Sequence, residues 1–224
     1  MKKLIKAVIF DLDGVLADSQ PVHFEADRLV LAECGAVEFD PDAIYSKAGM
    51  LKSDRLAKYK NEFALAPDVA QLSAMHDKII YGLIESGDLR ATDNAAAVLD
   101  MLAESGIERS VASSSGYTFI YKLLEKIRLA DKFNFIISGE DMKNGKPAPD
   151  IFLRALEKHG AEAEKCVVIE DSSAGVKAAR AAGIRCIGYR NLSSGFQDLS
   201  GACFVISDFK ELLDGRNWIY CDED

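Results

Sequence analysis

Two carboxylates stand two residues apart near the start of the chain, in "VIFDLDGVLADS" (residues 8–19), where an apolar run leads directly into Asp11 and Asp13, with Asp18 close behind. Carboxylates that close repel, and each is costly to take out of water. Such a pair either sits harmlessly in solvent or awaits something positive. A second acidic pair, Glu170 and Asp171, also ends an apolar run, "CVVIE" followed by Asp171. Ser113 opens the stretch "SSSG" after a third run, and Lys146 lies between a glycine and a proline in "NGKPAPD". Asp11, Asp13, Glu170 and Asp171 are hard oxygen donors suited to Mg2+, which uses few carboxylates and keeps several waters. Ser113, the backbone N–H groups near Ser114, and Lys146 would hold a phosphate. With these parts in one place a carboxylate can accept a phosphoryl group. Asp13 can protonate the leaving oxygen and later take a proton from water. The cation and Lys146 offset the charge of the transferring group. The paired acids then tolerate each other because a cation and a phosphate lie between them.

These residues need strand ends to position them, and the chain supplies candidates. Short β-type runs cover residues 4–10, 108–113, 133–138, 166–170, 185–189 and 203–207. Helical patterns lie between most of them, over 94–106, 118–129, 148–160 and 173–183, three of them ending in glycine. Strand and helix in alternation predict a parallel sheet with helices on both faces. In such a sheet ligands bind beyond the carboxyl ends of the strands, where the acids, Ser113 and the loop of Lys146 fall. The alternation breaks between about residues 20 and 85, where three stretches (23–35, 54–65 and 68–86) read as helices and none as a strand. This predicts a helical insertion over 19–87 between core segments 1–18 and 88–224, with hinges near 16–19 and 87–92. No internal repeat or low-complexity segment stands out, and the terminal "CDED" reads as a solvated tail.

The bulk properties bound the answer. A chain of 224 residues makes one large domain or a core with a smaller insert. At 49% hydrophobic and 28% charged residues it has the material for a sizeable core. The net charge of −9, with no basic stripe to offset it, argues against nucleic acid or an anionic membrane as partner. No stretch reaches the ~20 apolar residues of a membrane span. "MKKLIKAVIF" starts like a signal peptide but runs into "DLD" without a small-residue cleavage site, so it reads as a first strand. The five cysteines are scattered and contain no CxxC pair, which suggests buried thiols in a reducing cytoplasm.

"DLDGVLADS", Ser113, "GKPAPDIF" and "VVIEDSSAGVKAA" resemble, in order and spacing, the four motifs of the haloacid dehalogenase-like superfamily, nearest its branch of sugar-phosphate phosphatases and β-phosphoglucomutase. The resemblance spans nearly the whole core. It implies a doubly wound α/β sheet with a four-helix cap inserted after the first motif. It implies Asp11 as nucleophile and Asp13 as acid and base. It also implies Mg2+ held by Asp11, the Asp13 backbone carbonyl and Asp171, with Glu170 in support. The superfamily's dehalogenases lack the second aspartate and need no metal, so Asp13 favours phosphoryl chemistry.

Other residues carry plainer readings beside functional ones. Asp18 and Ser19 are placed to cap a helix. His23 is a helical histidine of structural type, yet its distance from "DLDG" resembles that of the mutase histidine which links cap closure to catalysis. Lys47, Met50 and Lys52 surround "SKAGMLKSD", a cap loop expected to face the substrate, and Lys52 falls where the mutase carries an arginine; helix solvation explains it equally. Ser114 is expected beside the phosphate. His76 and His159 are given no role, and Trp218 is expected to pack near the C-terminus. Gly116 and Tyr117 stand where the mutase grips a second phosphate with lysine and asparagine, and lysine for arginine loses bidentate binding. The expected function is therefore Mg2+-dependent hydrolysis of a small phosphorylated metabolite, foremost a sugar phosphate. The alternatives are a phosphosugar mutase, an inorganic pyrophosphatase, a phosphonatase using Lys47, Lys52 or Lys58, and a phosphate-ester binder without catalysis. A cytoplasmic monomer is the default expectation.

Overall fold

Residues 7–10, "AVIF", are too short for a self-burying helix and are apolar without alternation, the pattern of a strand covered on both faces. In the computed structural model, which describes residues 3–36, 38, 40–47 and 50–221, they form such a strand. The chain runs β1 (Lys3–Leu4), β2 (Ala7–Phe10), α1 (Gln20–Glu33), α2 (Asp42–Tyr45), α3 (Lys52–Glu62), α4 (Val69–Ser86), α5 (Ala95–Glu104), β3 (Glu108–Ser113), α6 (Tyr117–Lys126), β4 (Phe135–Ser138), α7 (Asp150–His159), β5 (Cys166–Glu170), α8 (Ser173–Ala181), β6 (Arg185–Tyr189), β7 (Phe204–Ile206), α9 (Lys210–Asp214) and β8 (Tyr220–Cys221). Six strands make one parallel sheet in the order β4-β3-β2-β5-β6-β7. The winding reverses at β2, so the carboxyl ends of β2, β3 and β5 meet at the switch point of a doubly wound α/β fold.

Successive side chains of β2 leave opposite faces of the sheet. Val8 and Phe10 join one apolar layer with Val98, Leu102, Ile120 and Leu124. Ala7 and Ile9 join the other with Phe152, Ala155, Val176 and Ala179. The sheet is thus clamped between two helical layers, and its carboxyl edge is held still beneath the loops.

The helices α1 to α4 lie between β2 and β3 in sequence, as a cap. Val30, Leu31, Ile44, Leu56, Tyr59 and Leu72 form an apolar cluster of their own. Ile80 and Ile84, on another face of α4, join the core instead. The helix α4 begins with a capping box in which Asp68 and Gln71 satisfy each other's backbone N–H. The two crossings between cap and core run side by side: Ala17 bridges Ala91, and Thr92 N donates to Leu16 O at 2.9 Å.

Two expectations need amendment. The run 4–10 is two strands, because the chain bends at Lys6, whose N–H turns to Lys165 O and whose ammonium reaches Gly160 O. β1 leaves the main sheet and pairs antiparallel with β8. Cys166 and Cys186 are buried, but Cys203, beside the edge strand β7, is exposed. The acids expected as a solvated tail (222–224) lie outside the described residues. Trp218 is buried, its indole N–H donating to Leu212 O. No helix among the described residues is long and apolar enough to cross a membrane.

Candidate active site

The loop after β2 is built to turn two acids the same way. Asp11 N is still held by Ile169 O (3.0 Å), so Asp11 sits at the end of the ladder. The chain then folds back on itself, with Leu16 N on Leu12 O and Gly14 N on Ala17 O. Gly14 has φ +85°, a conformation that disfavours any side chain. A Cβ there would lie 2.0 Å from Asp171 Oδ2, so the missing side chain also makes room for that carboxylate.

Asp13 is gripped by four side chains. Its Oδ1 accepts from Ser19 Oγ (2.6 Å) and pairs with His23 Nε2 (2.9 Å); its Oδ2 accepts from Ser115 Oγ (2.9 Å) and Ser113 Oγ (3.2 Å). Burial alone would raise this carboxyl, but the charge and hydrogen bond of His23, with Ser19 and Ser115, hold it at about 2. Gln20 Nε2 donates to the Asp13 carbonyl at 3.3 Å. Ser19 therefore occupies the N-cap position of α1 without a capping hydrogen bond; its hydroxyl has a charged acceptor instead, which is the stronger bond. Asp18 does not cap either, its carboxylate accepting from Asn191 Nδ2 (3.1 Å) and Ser193 Oγ (2.7 Å).

Lys146 reaches the same place from the loop after β4. Its ammonium lies 2.5 Å from Asp11 Oδ1 and 2.7 Å from Glu170 Oε1, with the lysine side chain 2% exposed. Burial would lower its pKa, but the two carboxylates raise it above the ordinary lysine value. The other oxygen of Glu170 accepts from the N–H and hydroxyl of Ser172. Both oxygens of Glu170 are thus engaged, and it orients Lys146.

The group expected here is Mg2+, and the charge balance fits it. Three buried acids, Asp11, Glu170 and Asp171, surround one buried cation, Lys146. The Asp11 carboxyl is raised to about 8, chiefly by burial, with Lys146 opposing the rise and Glu170 and Asp13 adding to it. Asp171 is raised well above its ordinary value by burial, then by Glu170 and Asp11. Carboxylates in that condition are short of positive charge. Among the described residues no three acidic, histidine or cysteine side chains form a ready-made ligand cluster, but Mg2+ asks only for a few carboxylates or carbonyls and completes its shell with water.

A cleft of about 370 Å3, lined by Asp11, Asp13, His23, Ser114, Asp171 and Arg55 among others, opens above these groups. An adjoining cleft of about 350 Å3 runs under the cap between Met50, Arg55, His76, Ile80, Tyr81 and Phe119. His23 of the cap thus joins Asp11, Asp13, Ser114, Glu170 and Asp171 at one cleft, with Lys146 bonded to Asp11 and Glu170. Ser113 is fully buried behind Asp13 and aims its hydroxyl there. Lys52 lines the second cleft but is held by both oxygens of Asp77 at 2.7 and 2.9 Å. Lys47 pairs with Glu62, and neither Lys47 nor Lys58 lines either cleft.

Arg55 is the cap cation that sequence reasoning passed over. Its Nε lies 3.0 Å from Asp27 Oδ2 and its Nη2 3.3 Å from His76 Nε2, all three residues buried. The available signal was its spacing: three residues after Lys52, it shares that face of α3. Two contacts close the rim. A Cβ on Gly139 or Gly145 would lie 2.5 Å from Leu51, so this cap side chain seats directly on two core glycines. The N-terminus of α6 carries Glu140, whose Oε2 accepts from Tyr117 N (3.2 Å); a Cβ on Gly116 would lie 2.2 Å from Glu140 Oε1.

Comparison with known proteins agrees with this geometry. The family described as haloacid dehalogenase-like hydrolase matches residues 8–189. A phosphorylated carbohydrates phosphatase of Thermotoga maritima is 31% identical over 181 residues, 80% of this chain and 82% of its own. Protein CbbY of Rhodobacter capsulatus is 30% identical over 217 residues, covering 91% and 93%. A crystal structure of mutant CbbY from Rhodobacter sphaeroides in complex with xylulose-(1,5)bisphosphate superposes with a TM-score of 0.84 at 25% identity, covering 93% of this chain and 96% of that one.

Proposed function

The chain belongs to the haloacid dehalogenase-like hydrolase family as one of its phosphatases, and we propose that it hydrolyses a small phosphorylated metabolite, a sugar phosphate foremost, through phosphorylated Asp11. The observation that carries this reading is the opening of Asp11 and Asp13 on one cleft with Lys146 bonded to the first. The name of the phosphorylated carbohydrates phosphatase, 31% identical, points to the same substrate class.

In the first step an Asp11 oxygen bonds to phosphorus as the ester bond breaks, and the leaving oxygen takes a proton from Asp13. In the second a water attacks phosphorus, gives a proton to Asp13, and Asp11 is released. Lys146, with backbone N–H groups near Ser114, would face the charge that builds on phosphorus. A phosphate dianion entering beside Asp13 raises that carboxyl towards protonation, which prepares it to act as acid. Asp11, the Asp13 carbonyl and Asp171 would hold Mg2+, with Glu170 in support through Lys146. The ion would offset the negative charge of the phosphoryl group. The cap excludes bulk water and favours small substrates.

Glu140 favours hydrolysis over mutase chemistry. A mutase needs a second phosphate position, and the helix end nearest the second cleft is already met by this carboxylate. The test is phosphate release from sugar phosphates, polyol phosphates and pyrophosphate, with Mg2+ and with EDTA, for the wild type and Asp11→Asn. Release that needs both Mg2+ and Asp11, and ranks sugar phosphates above pyrophosphate, is expected. Release that survives Asp11→Asn, or none from any compound, would overturn the reading.

A further inference from the structure

Asp171 is reached by a residue outside the four motifs. Ser194 Oγ donates to Asp171 Oδ2 at 2.5 Å, and the two residues are 1% and 2% exposed. Ser194 belongs to the short 3-10 turn after β6, Leu192–Ser194. Nothing in that stretch's composition marks it as part of a site.

The turn is held on every side. Asn191 Oδ1 accepts from Ser193 N (2.9 Å), which fixes the turn itself. Asn191 Nδ2 and Ser193 Oγ both bind Asp18, at the end of the loop that carries Asp11 and Asp13. Gln197 Nε2 donates to Ser194 O (3.0 Å), while Gln197 Oε1 accepts from Ser173 N at the start of α8 (2.9 Å). The hydroxyl of Ser194 therefore comes from a frame tied to both the Asp13 loop and the Asp171 loop. On its other flank, Asp171 Oδ2 fills the space that a Cβ on Gly14 would need.

We propose that Ser194 is a positioning residue for the cation end of the site: wedged between Ser194 and Gly14, the Asp171 carboxylate is held in one orientation, with Oδ1 left to bind a divalent cation. This rests on the Mg2+ reading above. Groups that orient a metal-binding side chain in this way commonly matter about 10–100-fold to metal affinity. A hydroxyl that donates to one oxygen stops the carboxylate rotating, so the cation meets a preorganised ligand.

The experiment measures Mg2+ binding by titration calorimetry and the rise in melting temperature on adding Mg2+, for wild type, Ser194→Ala, Ser194→Thr and Asp171→Asn. Ser194→Ala is expected to weaken Mg2+ about 10–100-fold and to shrink the Mg2+-induced rise, whereas Ser194→Thr, which keeps the hydroxyl, stays near wild type. A residue that only supported the fold would lower the melting temperature without Mg2+ and leave the Mg2+-induced rise intact. That result, or Ser194→Ala binding as the wild type does while Asp171→Asn does not bind, would overturn the role of Ser194 alone. A wild type that does not bind Mg2+ would overturn the metal reading and this inference with it.

Discussion

Replacing Lys146 by methionine isolates the charge balance of the site. Methionine keeps the length and apolar stem, whose end lies over the Phe152 ring (5.1 Å from Nζ to centroid), so little cavity is created. What goes is the one ammonium between Asp11 Oδ1 at 2.5 Å and Glu170 Oε1 at 2.7 Å. Removing one partner of a buried ion pair typically costs about 3–5 kcal/mol, because the remaining charge stays buried. For a chain of this size that is about 6–20 °C in melting temperature. The sign with pH follows from the acids left behind. Their folded pKa values rise above the unfolded ones, so stability is present at low pH and lost as pH rises through the gap. Since Asp11 sits at about 8 even with Lys146 present, the deficit of Lys146→Met is expected to be small near about pH 5 and to be largest above that value, near about pH 9. Melting of the metal-free proteins by circular dichroism at both pH values measures it. A variant within about 2 °C of wild type at the higher pH, or a deficit equal at both, would refute the argument that Lys146 neutralises buried carboxylates.

His159 is buried with its Nδ1 2.5 Å from Glu108 Oε2 and its Nε2 2.8 Å from Ser110 Oγ. Burial holds its pKa below the ordinary 6.5 despite Glu108, so its contribution is present above about pH 6.5 and lost as pH falls through the folded value. His159→Gln, which cannot protonate, should flatten the fall in urea stability over that window; an unchanged pH dependence would count against it. Gly145→Ala puts a Cβ 2.5 Å from Leu51 Cγ and should cut kcat/KM about tenfold by lifting the cap loop, with Leu51→Ala restoring most of it in the double variant. No loss of kcat/KM, or no rescue, would remove Leu51 from cap closure.

The sheet was legible because its strands are buried on both faces, and such strands read as unbroken apolar runs: "AVIF" and "CVVI" need no partner to be recognised. The bend at Lys6 was not, because it depends on Lys165 and Gly160, more than 150 residues away. The same division runs through the site. Asp11, Asp13, Lys146, Glu170 and Asp171 stand at strand ends or in the adjoining loops, where local pattern and topology suffice. Lys52 looked available because its partner, Asp77, lies 25 residues on in α4. Ser19 looked like a cap because helix position is local, whereas the acceptor it prefers is not. Arg55 and Ser194 act through Asp27, His76 and Asp171, contacts that only the packed chain brings together.

The carboxylate of Glu140 at the start of α6 changes the competition for that helix end. A phosphate arriving from solution must displace a group that belongs to the chain and never diffuses away, with an effective concentration of about millimolar or more. A reaction intermediate carrying two phosphates would meet the same rival each time it tried to turn round. On the proposed reading, this rival would bias the site towards release of the dephosphorylated product and transfer of the phosphoryl group to water.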